Sequence, residues 1–471
     1  MKTRALLLVL TMLTGCAVGP DYRRPDLAIP AAYKEAGNWK MAEPKDDATR
    51  GNWWKIYGDE QLNDLMTQVE ISNQNVLAAA AQYRQALALL GVAQAGKYPT
   101  LSGGLSGSRA QTNASSTTGT SAEAFDAPIR NTARLSFNAS WEADLWGRIG
   151  RTVEANAATA QASSADMQAA LLSAQATLAQ SYFQLRFSDA QRRLLEQTIV
   201  AYRRSLEITR NRYAAGIAGR VDVAQAETQL KSTEAQAVDL GVQRAQLEHA
   251  IAVLIGKAPA DFRLLPTRVL PTLPPLPSAL PSELLERRPD IAGAERRLAA
   301  ANAQIGVAQA AFFPTLTFSG SGGYQNSSLS QLLTLPNRFW SLGPTLALTL
   351  FDAGARTAQQ ESALAGYDKS VAAYRQTVLA AFQEVEDNLA ALRELADEAA
   401  IQQAAAQSAA EALALTENQY QAGTVSYLNV VTAQATALGA QRNSLDIAGR
   451  RLLANTVLLK ALGGDWRKAA E

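Results

Sequence analysis

Few side chains of this 471-residue chain are of the kinds that carry out catalysis or bind metals. Its single histidine, His249, lies in an Ala/Leu/Gln-rich stretch, where we expect it to pack between helices. The sequence contains no C-x-x-C, H-E-x-x-H, P-loop or G-x-S-x-G arrangement. Neither a metal-ligand cluster nor a nucleophilic triad is therefore available. The sequence predicts no enzyme, no catalytic residue, no metal and no cofactor.

The single cysteine, Cys16, is the residue with a predicted covalent chemistry. A basic start and a short apolar stretch precede it, so residues 1–15 are predicted to be a signal peptide. The ending Leu13-Thr14-Gly15-Cys16 resembles a bacterial lipobox, in which the cysteine is acylated, for example with palmitate, and becomes the mature N-terminus. Ala17 rather than Asp follows, which in enterobacterial sorting favours the outer membrane. The alternative is an ordinary secretory signal with an incidental cysteine.

An internal repeat organises the rest of the chain. GVAQAGKYPTL (91–101) recurs as GVAQAAFFPTL (306–316), and NRYAAGIAGRVDVAQA (211–226) recurs as NQYQAGTVSYLNVVTA (418–433). Two matched segments in one order indicate a duplicated unit of about 200 residues. We place an equatorial segment at 16–59, the first repeat at 60–255, a Pro-rich linker at 256–283, the second repeat at 284–462 and a tail at 463–471.

Each repeat has the same predicted order of helix, two strands, long helix, turn and shorter helix. In the first repeat these are helix 60–97, strands 99–112 and 130–143, helix 152–215, turn 216–220 and helix 221–255. In the second they are helix 284–313, strands 314–325 and 339–351, helix 356–422, turn 423–427 and helix 425–462. After the signal peptide no run approaches 18 consecutive apolar residues, so no helical membrane span is expected.

The two long helices exceed what a globular domain needs. About 65 residues at 1.5 Å rise give roughly 100 Å each. Apolar residues from Tyr367 to Leu392 follow a heptad spacing with an extra four-residue step, which favours nearly straight helix packing. A simple coiled-coil rod, as in a lipoprotein that scaffolds the cell envelope, would explain these helices. It would not explain the strands between them.

The predicted strands alternate apolar and small polar residues. Leu135, Phe137, Ala139 and Trp141 alternate with Ser136, Asn138 and Ser140, and the strand after Trp340 does the same. This pattern fits a membrane barrel with lipid outside and water inside, although a sandwich with one wet face is an alternative. Four strands cannot close a barrel, and lipid tolerates no open edge, so several copies must share one. Two copies would give eight strands with a filled interior, and three would give twelve strands and a pore.

Several segments together resemble one family, the TolC-type outer-membrane efflux proteins of the lipoprotein (NodT/OprM-like) branch. They are NWWKIYGDEQLNDLMTQVEISNQNV (52–76), SWEADLWGRI (140–149), ERRPDIAGAERRLAAANAQIGVAQAAFFPTL (286–316) and LFDAGAR (350–356). The resemblance implies a mainly α homotrimer. Its four strands per chain would form a shared twelve-stranded transmembrane β-barrel, continuous with a long periplasmic α-helical barrel. The expected location is the outer membrane, with a lipid anchor and contact with outer-membrane lipid.

The resemblance also implies the function of an exit duct in a tripartite efflux pump. The duct would passively conduct drugs, metals or other small molecules. Its partners would be a periplasmic adaptor, also called a membrane fusion protein, and an inner-membrane pump of the resistance-nodulation-division type. The same kind of duct in a type I protein-secretion system is the alternative. A net charge of +1 gives no reason to expect nucleic acid.

Two turns and the residues beyond the second are the candidate sites. Gly216 and Gly423 are predicted to lie where a helix ends with positive φ. By resemblance the turns are periplasmic tips that seat the adaptor, through Gly216, Ala218, Gly219, Arg220 and Val221 in the first and Gly423, Thr424, Val425 and Ser426 in the second. A gate is expected at Tyr427, Leu428 and Thr432, although relatives have Asp at the position of Thr432. Leu428 could instead pack between helices.

Two groups of charged residues have open roles. Acidic residues of the second long helix are expected to form a solvated face or, alternatively, to line the lumen; they are Glu384, Glu386, Asp387, Glu394, Asp397 and Glu398. Basic residues near the first tip could pair with neighbouring helices or contact the adaptor; they are Arg203, Arg204, Arg210 and Arg212.

Overall fold

The computed structural model describes residues 17–25, 52–111, 129–267, 271–274 and 288–464. These residues are mostly helical and include one four-stranded antiparallel sheet, which confirms the predicted fold class. The main elements are α1 (Glu60–Ser72), α2 (Gln74–Ala95), β1 (Thr100–Gln111), β2 (Ile129–Ala143), α3 (Arg148–Ala214), α4 (Arg220–Leu254), α5 (Pro289–Ala310), β3 (Thr315–Asn326), β4 (Arg338–Ala347), α6 (Ala355–Gln421) and α7 (Tyr427–Ala461).

The chain divides into two compact units, and each unit takes segments from both predicted repeats. The first unit comprises residues 1–25, 84–162 and 295–373 and contains the sheet. The second comprises residues 26–83, 163–294 and 374–471 and contains most of the helical core. The repeat, linker and tail boundaries stay predictions.

The sheet of the first unit has the order β1-β2-β3-β4, so β1 and β4 are its edges. The register places Leu105 opposite Leu135, Leu135 opposite Tyr324, and Trp141 opposite Phe318. Because neighbours across a ladder share a face, one face is apolar and the other carries serine, threonine and asparagine. The large side chains of the apolar face are exposed in the single chain; they include Leu101, Leu105, Phe137, Trp340, Leu342 and Leu346.

Glycines in the strands make room for these large side chains. A Cβ on Gly103 would lie 3.3 Å from the Phe137 ring, and one on Gly320 would lie 3.2 Å from Leu342. All four strands connect to helices at one end of the sheet, and to the connections 112–128 and 327–337 at the other. Residues 112–128 lie outside the described part of the chain. We call the end with these two connections the loop end.

The described residues nearest Cys16 dock on the helix end of the sheet within the first unit. Val18 N–H donates to the carbonyl of Trp146, 3.1 Å away. Gly19 lies so close to Gly306 that a Cβ on Gly19 would approach the Gly306 Cα within 2.5 Å. Arg151 donates to Asp21 (3.0 Å) and to the Gly19 carbonyl (3.3 Å). Residues 1–15 and Cys16 themselves lie outside the described residues.

The core of the second unit buries the aromatic residues of the segment that begins at residue 52. Trp53, Trp54 and Tyr57 are buried in one cluster with α1, α3 and the end of α7. The Tyr57 hydroxyl donates to Asn455 Oδ1 at 2.7 Å, and burial raises the pKa of Tyr57. Asp59 then caps α1 by accepting from the Leu62 N–H at 3.0 Å.

A buried arginine ties the start of α5 to α6 and α7 in the second unit. Arg288 forms hydrogen bonds with Asp290 (2.8 Å), with Glu384 (2.8 Å) and with the Ala461 carbonyl (3.0 Å). Burial alone would raise the pKa of both carboxyl groups, but the bonds to Arg288 outweigh it and lower both. Glu384 is therefore a packed residue, while Glu394 is exposed.

Three further arginines hold the described start of the inter-repeat linker. Arg186 donates to the Leu265 carbonyl, Arg193 to the Thr267 carbonyl, and Arg244 to the Leu264 carbonyl. Arg244 is itself held by Asp189 at 2.7 Å. Side chains thus supply the partners that an extended backbone lacks.

The helix predicted over 60–97 is wrong, because the structure has two helices separated at Asn73. Asn73 has ψ 122°, and its side-chain oxygen accepts from the N–H groups of Asn75 and Val76 at 3.0 and 3.1 Å. Its Nδ2 donates to the Leu254 carbonyl at 2.7 Å. An Asn side chain that caps the next helix and reaches the end of another offers the backbone an alternative to continuous helix.

The prediction that no helix spans the membrane stays a prediction. In the described part of the chain, the stretch Glu60–Ala95 is long and apolar enough to cross a membrane, with a mean window hydropathy of 1.3. Much of that hydropathy comes from alanine, and length and composition alone are weak grounds for a span.

Three other element limits differ from prediction. The strand predicted over 339–351 ends at Ala347, because that residue pairs with Thr315, the first residue of β3. The helix predicted over 284–313 begins at Pro289, which suits the first helical turn because it has no N–H to leave unpaired. The last helix begins at Tyr427, after Ser426 at the N-cap.

Candidate adaptor tips and gate

The first tip, residues 216–220, joins α3 to α4 in the second unit. Gly216 has φ 73°, and the Ile217 N–H donates to the Arg212 carbonyl at 2.9 Å. This is the arrangement in which a left-handed glycine ends a helix and satisfies its last carbonyls. Asp222 then accepts from the Gly219 N–H at 3.0 Å and starts α4.

The second tip, residues 423–427, repeats the geometry between α6 and α7. Gly423 has φ 79°, and the Thr424 N–H donates to the Gln419 carbonyl at 3.0 Å. The Thr424 hydroxyl donates to the same carbonyl, also at 3.0 Å. Both glycines thus occupy the positive-φ positions predicted from the repeat.

Most of the predicted tip residues are exposed in the single chain. Ala218 and Val425 are half-buried, and the others are accessible: Gly216, Gly219, Arg220, Val221, Gly423, Thr424 and Ser426. Sequence reasoning missed Ile217, which is 66% exposed at the apex of the first tip. An apolar residue directly after the turn glycine was the available signal.

An aromatic cluster lies directly behind the tips and joins all four helices. It contains Tyr202 and Leu206 of α3, Ala226 and Leu230 of α4, and Tyr420, Tyr427 and Val430 of α6 and α7. The rings of Tyr420 and Tyr427 meet edge to face at 5.2 Å. Burial raises the pKa of both Tyr202 and Tyr427, so both phenols stay neutral and their hydroxyls can donate hydrogen bonds.

Arg212 connects the two tips. This α3 side chain donates to the Tyr420 carbonyl at 2.9 Å and to the Gln421 carbonyl at 3.2 Å. Its guanidinium also lies 4.6 Å from the centre of the Tyr420 ring. A cation at the C-terminal end of α6 satisfies carbonyls that have no helical partner and is favoured by the helix dipole.

The other arginines near the first tip serve the α3–α4 hairpin itself. Arg210 pairs with Glu227 at 2.6 Å, and Arg203 pairs with Glu234 at 3.2 Å. Arg204 is exposed. Arg203, Arg210 and Arg212 thus all contact neighbouring helices.

The predicted gate residues have different surroundings. Tyr427 is 2% exposed, and its hydroxyl lies 3.2 Å from the Ser205 hydroxyl. Leu428 is 54% exposed, so it does not pack between helices of its own chain. Thr432 is exposed one turn later, and its hydroxyl donates to the Leu428 carbonyl at 2.9 Å. Leu428 and Thr432 share one face of α7, whereas Tyr427 points into the cluster.

No catalytic or metal centre stands out in the described residues. They contain no group of three or more His, Cys, Asp or Glu side chains that could hold a metal ion. His249 is exposed on α4 rather than packed between helices of the chain, contrary to the sequence prediction.

The sheet, with its apolar face exposed, and the two matched helical hairpins define an outer-membrane channel with a periplasmic helical part. The model of the family described as "Outer membrane efflux protein" matches residues 65–257 and 280–464. The chain belongs to the outer membrane efflux protein family, and it is the outer-membrane channel of a tripartite efflux pump. This family consists of transport channels, not enzymes.

Individual relatives agree along nearly the whole chain. The cation efflux system protein CusC of Escherichia coli is 30% identical over 97% of both chains. The solvent efflux pump outer membrane protein SrpC of Pseudomonas putida is 31% identical over 99% of both. Among solved structures, the outer-membrane channel OprN is 30% identical with a TM-score of 0.87, covering 96% of this chain and 100% of that one.

Proposed function

We propose that three copies of this chain form one passive exit duct. The observation that carries the proposal is the sheet with two unpaired edges and an exposed apolar face. In lipid, unpaired strand edges are unstable, so the edges of neighbouring copies must pair. Three copies give twelve strands, enough for an open lumen, whereas eight strands would be filled by side chains.

The detergent-corrected mass of the protein purified from outer membranes tests this stoichiometry. A trimer of about 150 kDa is expected from a chain of 50.3 kDa. A stable monomer in membrane extracts would contradict the shared barrel.

The two tips are proposed to seat the periplasmic adaptor. Support comes from their matched geometry and from two exposed side chains, Val221 in the first turn of α4 and Ser426 in the second tip. Since Cys16 is the single cysteine, V221C and S426C would each introduce one tip thiol for cross-linking in intact cells. H249C is the matched control, because His249 is exposed on the same helix as Val221 but roughly 40 Å away at 1.5 Å per residue.

We expect adaptor adducts from V221C and S426C and none from H249C. Adducts from H249C alone would contradict the tip assignment, but they would leave the assignment of the chain as a channel unchanged.

Leu428 is proposed to form the periplasmic gate, with Thr432 one turn further along the lumen. Three exposed leucines from three copies can close a narrow tunnel by excluding water. Tyr427 supports them from behind, because it is buried in its own chain. With Thr432 in place of Asp, the gate lacks a carboxylate ring. L428S is expected to raise single-channel conductance, and T432S, which keeps the hydroxyl, is expected to leave it unchanged.

Cys16 is proposed to be acylated, so that the chain is lipid-anchored in the outer membrane. Residues 17–21 support this, since they dock where β2 ends and α3 begins, at the helix end of the sheet. An acyl chain on the preceding residue would then start near the membrane surface. Labelling with a radioactive or clickable palmitate should mark the wild type and not C16S.

Small molecules delivered by an inner-membrane pump of the resistance-nodulation-division type are the proposed cargo. CusC is named for cation efflux and SrpC for solvent efflux. We propose organic compounds as cargo, as the name of SrpC indicates for that protein, and metal cations as the alternative, as for CusC. A deletion strain should become sensitive to solvents or antibiotics, and complementation should restore resistance. Sensitivity to metal cations alone would reverse this choice.

A further inference from the structure

The charges of the sheet are concentrated at one end. Four arginines lie in the loop-end halves of the strands: Arg109 near the end of β1, Arg130 and Arg134 at the start of β2, and Arg338 at the start of β4. The strands' single acidic residue, Glu142, lies at the opposite end and pairs with Arg148 at 2.7 Å. The loop end of the sheet is therefore strongly basic.

The register divides these arginines between the two faces. Arg338 is opposite Tyr324, which is opposite Leu135, so Arg338 extends the apolar face. Arg109 is two ladder positions beyond Gly107 and four beyond Leu105, so it lies on the apolar face as well. Arg130 and Arg134 share the polar face with Ser136. The guanidinium of Arg134 lies 4.5 Å from the Phe339 ring on that face.

Arg109 and Arg338, the two arginines on the apolar face, are exposed, and their described neighbours offer them no carboxylate. The connection 327–337 that precedes Arg338 contains no charged residue. Glu123 and Asp126 of the other connection lie outside the described residues. Trp340 and Tyr324 flank Arg338 along the same face, as aromatic residues do at the border of a membrane barrel.

The loop end faces the outside of the cell. Every strand joins its helix at the other end, and the helices of this family are periplasmic. An arginine there meets the headgroup region of the outer leaflet, where the cost of exposure to lipid is small. Its planar fork of N–H donors matches the oxygens of a phosphate group.

We propose that Arg109 and Arg338 bind the phosphate groups of a phosphorylated lipid in the outer leaflet. These residues lie on β1 and β4, the two edges of the sheet. When copies share a barrel, β4 of one copy lies beside β1 of the next. The lipid site is then at the seam between copies, and a bound phosphate links neighbouring chains. The inference uses the shared barrel, and it is independent of the gate and the cargo.

Native mass spectrometry of the purified, delipidated full-length trimer tests the site. Diphosphorylated lipid A is the probe, and the same lipid without its phosphates and inorganic phosphate alone are the comparisons. The variant is R109Q/R338Q. R130Q is the control on the polar face, and it removes the same charge as each of the single variants R109Q and R338Q. We expect lipid A to bind the wild type and R130Q equally, and the double variant about tenfold more weakly.

Equal binding of lipid A by the double variant and the wild type would overturn the proposal. It would also fall if the dephosphorylated lipid or inorganic phosphate bound as tightly as lipid A. In case the double variant does not assemble, R109Q and R338Q are measured singly, each with an expected loss of about threefold. Loss of the trimer itself from wild-type samples would instead count against the shared barrel.

Discussion

The two helical hairpins have the same turn and different chemistry. Each ends with a left-handed glycine, at φ 73° and φ 79°. Behind the first turn, Arg210 and Glu227 form an ion pair at 2.6 Å. At the equivalent positions of the second hairpin, Gln434 donates to Glu417 at 3.3 Å. Duplication has kept the place of the contact and changed its charges.

The contacts that hold the two hairpins differ more than the geometry of their turns. The first is bridged by two ion pairs between its own helices, Arg203 to Glu234 and Arg210 to Glu227. The second is held near its turn by contacts from the first, through Arg212 and Ser205. Only the second hairpin carries the proposed gate. We therefore expect it to detach from the first when the channel opens, while the first keeps its shape.

The largest effect is expected from R212A. It removes two hydrogen bonds from a guanidinium to the end of α6, each worth about 1.5–3 kcal/mol, and a contact with the Tyr420 ring. A net loss of about 2–3 kcal/mol should raise amide exchange in residues 420–430 by thirtyfold or more. Conductance of the trimer in planar bilayers should rise as well.

R210A is the control for R212A, because it removes an exposed ion pair of the first hairpin. Such pairs contribute about 0.2–1 kcal/mol, so little change is expected at the second tip. An R212A channel with wild-type conductance and exchange would show that Arg212 does not hold the second hairpin.

Alanine at the two turn glycines should have a smaller and nearly equal effect. A Cβ at φ above zero costs about 1–2 kcal/mol. An added Cβ meets nothing within 4 Å at Gly216 and only Arg212 Nη2, at 3.8 Å, at Gly423. G216A and G423A should therefore lower the local stability of their own hairpins alike, as measured by hydrogen exchange.

Gly241, inside α4 with open space around it, is the matched control. G241A should leave the hairpin unchanged or stabilise it, since alanine is the better helix former. A much larger loss in G423A than in G216A would mean that the second turn is strained beyond its backbone angle.

Sequence reasoning was most successful where the signal is local. Gly216 and Gly423 were predicted from the repeat and the need for positive φ, and the strands from the alternation around Phe137. The break at Asn73 was missed because helical periodicity continues through it. Its side chain decides between two helices only once the Leu254 carbonyl is near.

The contacts of the tips were less predictable for the same reason. Arg212 finds its partners on a helix about 200 residues later in the sequence. Nothing in its neighbourhood distinguishes it from Arg210, which pairs with α4 instead. Likewise, the family resemblance assigned Tyr427 to the gate, but only the packing shows that its ring is buried while Leu428 is exposed.

Y427F should have an effect of about 1 kcal/mol, the usual contribution of one hydrogen bond. The change keeps the buried ring and removes the hydroxyl that contacts Ser205 at 3.2 Å. Exchange in residues 425–432 should increase about fivefold. S205A should give a similar increase, and the double variant should add little, as expected when two changes remove one contact. Fully additive effects would mean that the two hydroxyls act separately.

The smallest effect is a pH response of the first hairpin near Glu234, compared with the equivalent positions of the second. Hydrogen bonds from Lys231 and Arg203 lower the pKa of Glu234 below its ordinary value of 4.5. The folded state therefore binds the proton less tightly than the unfolded state. The contribution of the ionised Glu234 to stability is complete above the pKa of the unfolded state. It disappears as the pH falls through the lower pKa of the folded state.

Protection factors of amides near Arg203 and Glu234 should thus decrease on acidification through this range. Ala410 and Gln441, the equivalent positions of the second hairpin, are uncharged and form no such ion pair, so protection there should stay constant. E234Q should abolish the difference between the hairpins. An equal change of protection with pH at both sets of positions in the wild type would show that these ion pairs are not what holds the first hairpin together.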